Sequence, residues 1–152
     1  MYSNVLIVMR NMPVRSAIFL ALLLSSATIT AISARADGDA GVGQDLFYTC
    51  AACHEVGNGA RNRVGPVLND IVGRRAATRD GYAYSRAMKE KGAEGLVWTP
   101  ESLDAYLANP RVFVRGTRMA YAGLRDAERR SDLIAYLKTL TFESPAQSKI
   151  LK

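Results

Sequence analysis

Apolar residues recur at helical spacing in three stretches of the chain and at no clear spacing between them. The clearest stripe is Leu133, Tyr136, Leu137 and Leu140, at i, i+3, i+4 and i+7. This pattern predicts an amphipathic helix, and Asp126 and Glu128 suit its positive N-terminal end. A second helix is predicted after Thr99-Pro100, a capping residue followed by a proline that fits the first turn. It puts Leu103, Tyr106 and Leu107 on one face and stops at Asn109-Pro110. A first helix runs from about Gly41 to Ala52, and a shorter helical segment, Tyr84 to Lys91, is ended by Gly92. From Glu55 to Asp80 the chain is rich in glycine, arginine and asparagine and has no periodicity. So long a loop is out of place in a compact domain unless something other than side chains fills the middle. The expected fold is all-α, with three main helices, short helices and long loops.

The first three dozen residues are different in kind. They hold Arg10, Arg15 and Arg35 but no acid, and Ala17 to Ala34 is almost wholly apolar or small. With the small-residue site Ala34-Arg35-Ala36, this reads as a secretory signal over residues 1–36 with cleavage before Asp37. The alternative is a retained membrane anchor, since the stretch is near the lower length limit for crossing a bilayer. The folded domain is then 37–152, a common size for one domain. The expected location is the periplasm, free or, if the leader stays, anchored and facing it.

Charge changes the picture little. The whole chain of 152 residues carries +6, and loss of the three leader arginines leaves 17 basic against 14 acidic residues, or +3. No nucleic-acid module is indicated, and a monomer is expected. What matters for docking is where the basic residues sit.

The chemistry is concentrated in Cys50-Ala51-Ala52-Cys53-His54, which holds both cysteines and the only histidine of the chain. Two cysteines in an exported chain can make a disulfide, a redox dithiol, part of a zinc site or a haem attachment site. A thioredoxin-like dithiol needs a βαβ pattern, and no alternating strand signal flanks the motif. Zinc needs four ligands, and this set is short of that. The Cys-x-x-Cys-His form fits covalent haem: thiols three residues apart on one helical turn share a face and can both reach one edge of the macrocycle, and the adjacent imidazole meets the iron. A haem would also fill the middle that the long loop leaves open.

Haem iron in an electron carrier takes two axial ligands, from His, Met, Cys or Tyr. His54 supplies the first. Outside the leader the methionines are Met88 and Met119. Met88 lies in the short helical segment, where methionine ordinarily fills a core. Met119 follows Gly116-Thr117-Arg118 in an irregular loop between two helices and has little packing reason to be there, so it is the candidate second ligand. The expected surroundings of the group are Phe47, Leu68, Trp98, Tyr106 and Met119, with His54 facing inward.

These residues resemble class I cytochromes c, in the branch of mitochondrial cytochrome c and its short bacterial soluble relatives. The likeness runs in order through Gly43, Phe47, Cys50-Cys53-His54, Gly65-Pro66-Val67-Leu68, Gly81 to Tyr84, Trp98, Tyr106 to Pro110, Gly116 to Met119 and Asp132 to Lys138. It implies the cytochrome c fold, one covalently bound haem c, and no enzymatic activity. It also implies that the Pro66 carbonyl accepts a hydrogen bond from the His54 ring, that Tyr106 bonds the Met119 sulfur, and that Arg74, Tyr84, Trp98 and Thr117 surround the propionates. Trp98 and Tyr106 equally suit a role as large core residues with polar ends satisfied by the backbone. Three departures stand out. Arg115 replaces a proline of the family pattern, so the loop presenting Met119 is expected to be looser. Met88 replaces an asparagine that in mitochondrial relatives helps hold a buried water. Ala93-Glu94-Gly95 looks like a surface insertion.

With both axial positions filled, the iron is suited to cycling between ferrous and ferric forms, and methionine opposite histidine favours a raised potential. A mid-chain electron shuttle between respiratory or photosynthetic partners follows. The competing classes are a peroxidase or gas-binding protein, which needs the sixth position free, and a haem subunit of a larger oxidoreductase. Arg61, Arg63, Arg111, Arg115 and Arg118 are expected to ring the exposed haem edge and meet redox partners with acidic docking surfaces.

Overall fold

A computed structural model of the chain describes residues 37–141; residues 1–36, read from the sequence as a secretory signal, and residues 142–152 lie outside the described residues. Among the described residues five helices follow in order: α1 (Ala40–Ala51), α2 (Arg86–Ala93), α3 (Pro100–Ala108), α4 (Pro110–Phe113) and α5 (Ala127–Thr139). Among the described residues there is no strand, only an isolated antiparallel bridge between Arg75 and Val97. No helix among them is long and apolar enough to cross a membrane. The expected all-α arrangement of three longer helices, shorter ones and long loops is the one observed.

Each helix begins where a short polar side chain can serve its orphan N–H groups. Asp39 accepts from the N–H groups of Gly41 and Val42, Ser85 from Met88, Thr99 from Ser102, Asn109 from Val112 and Asp126 from Glu128 and Arg129. Pro100 and Pro110 occupy first-turn positions, where the missing N–H costs nothing. Asn109 is extended at φ −159°, ψ 91°, the conformation a residue before proline prefers, so α3 stops there and α4 starts.

Helices α1 and α5 meet at close range. A Cβ on Gly43 would lie 2.0 Å from the Asp132 carbonyl oxygen, so only glycine permits this crossing. One turn on, Phe47 packs on Tyr136 with ring centroids 5.4 Å apart. The Asp39 N–H donates to Asp132 Oδ1 at 2.8 Å, tying the entry of α1 to the middle of α5.

Helix α5 buries more than the expected stripe. Leu133, Leu137 and Leu140 are buried as predicted, but so are Ile134, Arg130 and Asp132, while Tyr136 is half-buried. The reason is that α5 packs against both α1 and α3, so two faces are covered. Leu133, only 2% exposed, contributes about 1.5–3 kcal/mol by leaving water.

The aperiodic stretch between α1 and α2 is ordered by main-chain bonds to distant elements. Leu68 N–H reaches the Glu55 carbonyl at 3.1 Å, Asp70 that of Leu140 at 2.8 Å, and Gly73 that of Trp98 at 2.9 Å. The Asn69 side chain is bonded both ways to the backbone of Gly57, at 2.8 and 2.9 Å. Ala93 to Gly95 are exposed, as expected of an insertion.

Candidate functional site

The helices and the aperiodic loop enclose a cavity of about 400 Å³, within the range of roughly 300–1,000 Å³ usual for cofactor sites. Its wall is largely apolar and includes Phe47, Leu68, Ile71, Trp98, Leu103, Leu133 and Leu137. Cys50, Cys53, His54 and Met119 all line this one cavity, as do Arg74, Tyr84, Tyr106 and Thr117. The residues singled out from the sequence therefore converge.

The two cysteines are not joined in a disulfide; Cys50 lies in the last turn of α1 and Cys53 just beyond it, where the helix gives way to a turn closed by the N–H groups of Cys53 and His54 on the Cys50 carbonyl, at 3.0 and 2.9 Å. Burial pushes the Cys50 thiol up from its ordinary value; the contact with Thr49 opposes this and the neighbouring Cys53 adds to it.

His54 Nδ1 lies 2.7 Å from the Pro66 carbonyl oxygen. A carbonyl can only accept, so Nδ1 carries the proton and Nε2 keeps its lone pair. Burial lowers the imidazole pKa, with the Pro66 bond pulling it the other way, so the fold favours the neutral ring that a metal needs. The ring is also wedged. A Cβ on Gly65 would lie 2.3 Å from His54 Cε1 and 2.7 Å from Nε2, so the glycine before Pro66 leaves the space in which the imidazole sits.

Met119 is fixed from two directions. Its Sδ accepts from the Tyr106 hydroxyl at 3.2 Å, and its N–H donates to Thr117 Oγ1 at 3.2 Å. Tyr106 lies on α3 between Trp98 and Phe113, with ring centroids at 4.9 and 5.9 Å. Burial holds its phenol above the ordinary value, partly offset by the Thr117 contact. The loop ahead of Met119 is a turn: the Thr117 N–H donates to the Val114 carbonyl at 3.0 Å, and Gly116 has φ 89°. Arg115 occupies the second position of that turn. The Arg118 guanidinium donates to the Ala83 carbonyl oxygen, joining the loop to the segment before α2.

Arg74 extends Nη1 to the Asn69 carbonyl at 2.7 Å and Nη2 to that of Val67 at 3.1 Å. Burial lowers its pKa without threatening its charge, so a cation held by two backbone oxygens stands in the wall. Met88 is buried on α2, as a core filler should be, and lines the cavity too. Tyr82, which lies within the Gly81 to Tyr84 stretch of the family likeness with no role implied there, also lines it, as does Tyr121, which carries no sequence signal beyond lying two residues after Met119. Among the arginines expected at the rim, Arg63 pairs with Glu55 at 3.1 Å and the Arg61 N–H bonds the same carboxylate at 2.8 Å. The Arg61 bond is the main reason the Glu55 pKa is lowered.

A large apolar cavity with two cysteine sulfurs on its wall, an imidazole whose Nε2 has no protein partner among the described residues and a thioether sulfur on the same wall fits a haem attached through thioethers. The Gly65 space, which any side chain would fill, is there for the imidazole.

The family model for cytochrome c matches residues 41–141. A cytochrome c2 of Agrobacterium tumefaciens (strain II Chrys) is 46% identical over 111 residues, covering 73% of this chain and all of that protein. A cytochrome c-550 of Ancylobacter novellus is 50% identical over 97 residues, 64% of this chain and 91% of the relative. In structure, cytochrome c2 from Rhodospirillum Centenum aligns with a TM-score of 0.66 at 38% identity, covering 69% of this chain and 100% of that one. Cavity, fold and relatives agree, and the chain belongs to the cytochrome c family: it is an electron carrier with one covalently bound haem c, not an enzyme.

Proposed function

We propose that Cys50 and Cys53 carry the haem through thioether bonds, that His54 Nε2 and Met119 Sδ are its two iron ligands, and that the protein shuttles single electrons between redox partners in the periplasm. The observation that carries this reading is that His54 and Met119 line one cavity and each has its remaining polar capacity taken up, by Pro66 and by Tyr106. When bound, the haem would supply an iron that alternates between ferrous and ferric forms, and a thioether ligand would favour the ferrous one. The chain's own part is to hold His54 neutral and oriented, to keep water from the macrocycle with the wall of Phe47, Leu68 and Trp98, and to present Met119 on a fixed turn.

Redox partners with acidic surfaces would meet Arg111, Arg115 and Arg118, which are exposed on or beside the methionine loop. Such association is steered by charge and slows as the Debye length falls from about 10 Å at 0.1 M salt to about 3 Å at 1 M. Electron-transfer rates that stay constant over that range would remove the docking proposal.

The test of the site is the natively produced protein. Its mass reports leader loss and one haem together, and a weak far-red absorption band of the ferric form reports the iron–methionine bond. A Cys53→Ala protein that accumulated with unchanged mass of bound haem and unchanged spectrum would overturn the attachment assignment. A parent protein without the far-red band would overturn Met119. A mass that includes residues 1–36 would replace the free periplasmic carrier with an anchored one.

A further inference from the structure

We propose that the ion pair between the buried Arg130 and the half-buried Asp104 is a positioning device for the iron ligand: it clamps the outgoing limb of the Met119 loop to the helix that bears Tyr106. This rests on the reading of Met119 as a ligand.

Arg130 lies on the first turns of α5 and is 8% exposed. Its Nε and Nη2 donate to Asp104 Oδ1 and Oδ2 on α3, at 2.7 and 3.3 Å. Its Nη1 donates to the carbonyl oxygens of Leu124 and Arg125, at 2.8 and 2.9 Å. One planar group thus joins α5, α3 and the last residues of the loop, using the fixed fork of donors that a lysine lacks.

Leu124 and its neighbours are held from the other side as well. The Leu124 N–H donates to the Leu107 carbonyl at 2.9 Å. Gly123, at φ 102°, passes so near the end of α3 that a Cβ would lie 2.3 Å from the Ala108 carbonyl oxygen. Between this strap and Met119 run Ala120, Tyr121 and Ala122, whose N–H groups have no protein partner among the described residues. Beyond its own bonds to Tyr106 and Thr117 and the Arg118–Ala83 bond, the methionine is held by what stands at the two ends of its loop: the Val114–Thr117 turn before it and the Arg130 strap after it.

The geometry assigns a direction to this. Asp104 and Tyr106 are two residues apart on α3, so the side chain that Arg130 grips and the hydroxyl that bonds Met119 Sδ move together. Loosening the strap lets residues 120–125 move away from α3, and the distance between Tyr106 and the sulfur is no longer set. The Asp104 side chain remains 31% exposed, so the pair gains little direct energy from its charges. Its value is in geometry, a role for which buried or half-buried ion pairs are suited.

The experiment uses the ferric holoprotein at one pH and adds imidazole, which competes with a methionine for iron, while the far-red band is followed. Arg130→Lys keeps the charge and can still reach Asp104 but cannot also serve both carbonyls. The double variant Asp104→Leu with Arg130→Met replaces the pair by apolar groups, a change that usually preserves stability. In both, the imidazole concentration that halves the band should fall about tenfold, the scale of one lost buried hydrogen bond. Asp104→Glu, which keeps the grip, should stay within about twofold of the parent.

If Arg130→Lys melts at lower temperature yet resists imidazole as the parent does, the pair is merely structural and the proposal is wrong. The same holds if the double variant keeps the parental midpoint. If the parent itself shows no far-red band, it is the ligand assignment that fails, and the positioning role goes with it. Amide exchange at Leu124 gives an independent reading, since the strap predicts faster exchange there in Arg130→Lys while the helical amides of α1 stay unchanged.

Discussion

The phenolic hydroxyl of Tyr106 donates to the sulfur of Met119 at 3.2 Å, and the same oxygen lies 3.4 Å from Thr117 Oγ1. A donor on the sulfur draws electron density from the thioether and makes it a poorer ligand for ferric iron. Tyr106→Phe should therefore lower the reduction potential while leaving the far-red band in place. A sulfur-bound hydrogen bond belongs at the low end of about 0.5–1.5 kcal/mol, which for one electron, at about 59 mV per tenfold, is a few tens of millivolts. Potentiometric titration of the two proteins decides it, and an unchanged or raised potential would show that the hydroxyl does not act on the iron through sulfur.

Gly65 stands against the face of the His54 ring, and a Cβ there would be 2.3 Å from Cε1. That atom cannot fit unless the imidazole turns away from Pro66 or the loop shifts. Overpacking of this kind costs about 1–3 kcal/mol, and here it falls on the ligand itself. Gly65→Ala should yield much less holoprotein, and what forms should unfold at lower guanidinium concentration. A holoprotein of parental yield and midpoint would mean the ring has more room than its contacts indicate.

Arg115 takes the second position of the Val114–Thr117 turn, whose third residue, Gly116, has φ 89°. A turn with a left-handed third residue is of the type that accepts proline at the second. Val114, at φ −123° and ψ 88°, lies outside the α region that a following proline disfavours. Among the described residues the Arg115 N–H has no hydrogen-bond partner to lose. Arg115→Pro should stabilise by about 0.4–1 kcal/mol through the unfolded chain and retain the far-red band to higher pH. Measured unfolding midpoints and an alkaline titration of the band test both halves. A variant that loses the band first would show that the arginine turn is already better fixed than a proline turn.

Burial pushes the Tyr84 phenol above its ordinary value, against the pull of the Arg79 N–H, 3.3 Å from its oxygen, and of the Arg74 charge. In the unfolded chain the phenol titrates near 10. The folded protein holds this proton more tightly, so the contribution to stability is complete below about pH 10 and is lost as pH rises through the folded value. Tyr84→Phe should lose stability less steeply above about pH 10 than the parent does, as read from denaturant unfolding at a series of pH values. Parallel curves would mean the phenol is solvated in the folded state.

Much of the site is legible in the amino-acid order itself. The attachment motif carries its own geometry, α5 has an unbroken apolar period, and Met119 stands out as a methionine in a polar loop. What the sequence hides depends on contacts between residues far apart. Arg130 has the local look of a charged residue on a helix surface, and only the approach of Asp104 from α3, 26 positions earlier, buries it. Ile134 falls off the predicted stripe and is buried because α5 is covered by two helices. Gly65 reads as a turn residue, and its role comes from the His54 ring packed against it. Arg61 and Arg63 read as a basic patch, but Glu55, nearer in space than the spacing indicates, takes one bond from each.

The crossing at Gly43 has a consequence for the chain as a whole. Gly38 meets the Ser131 backbone with no room for a Cβ, Gly43 does the same at Asp132, and the Asp37 carboxylate lies 3.2 Å from Lys138 Nζ. The beginning and the end of the domain are thus stitched at three points along one seam. A polypeptide joined in this way is close to a closed loop: the lining residues from Phe47 to Tyr121 belong to the arc between the stitches, and Leu133 and Leu137 stand on the seam helix itself. The polymer penalty for closing an arc of that length is met once, at the seam, and it grows only slowly with further length. Insertions along the outer side of the arc, such as the exposed Ala93 to Gly95, therefore leave the perimeter of the pocket intact. A side chain added at Gly43 would part the seam and open the whole perimeter at once.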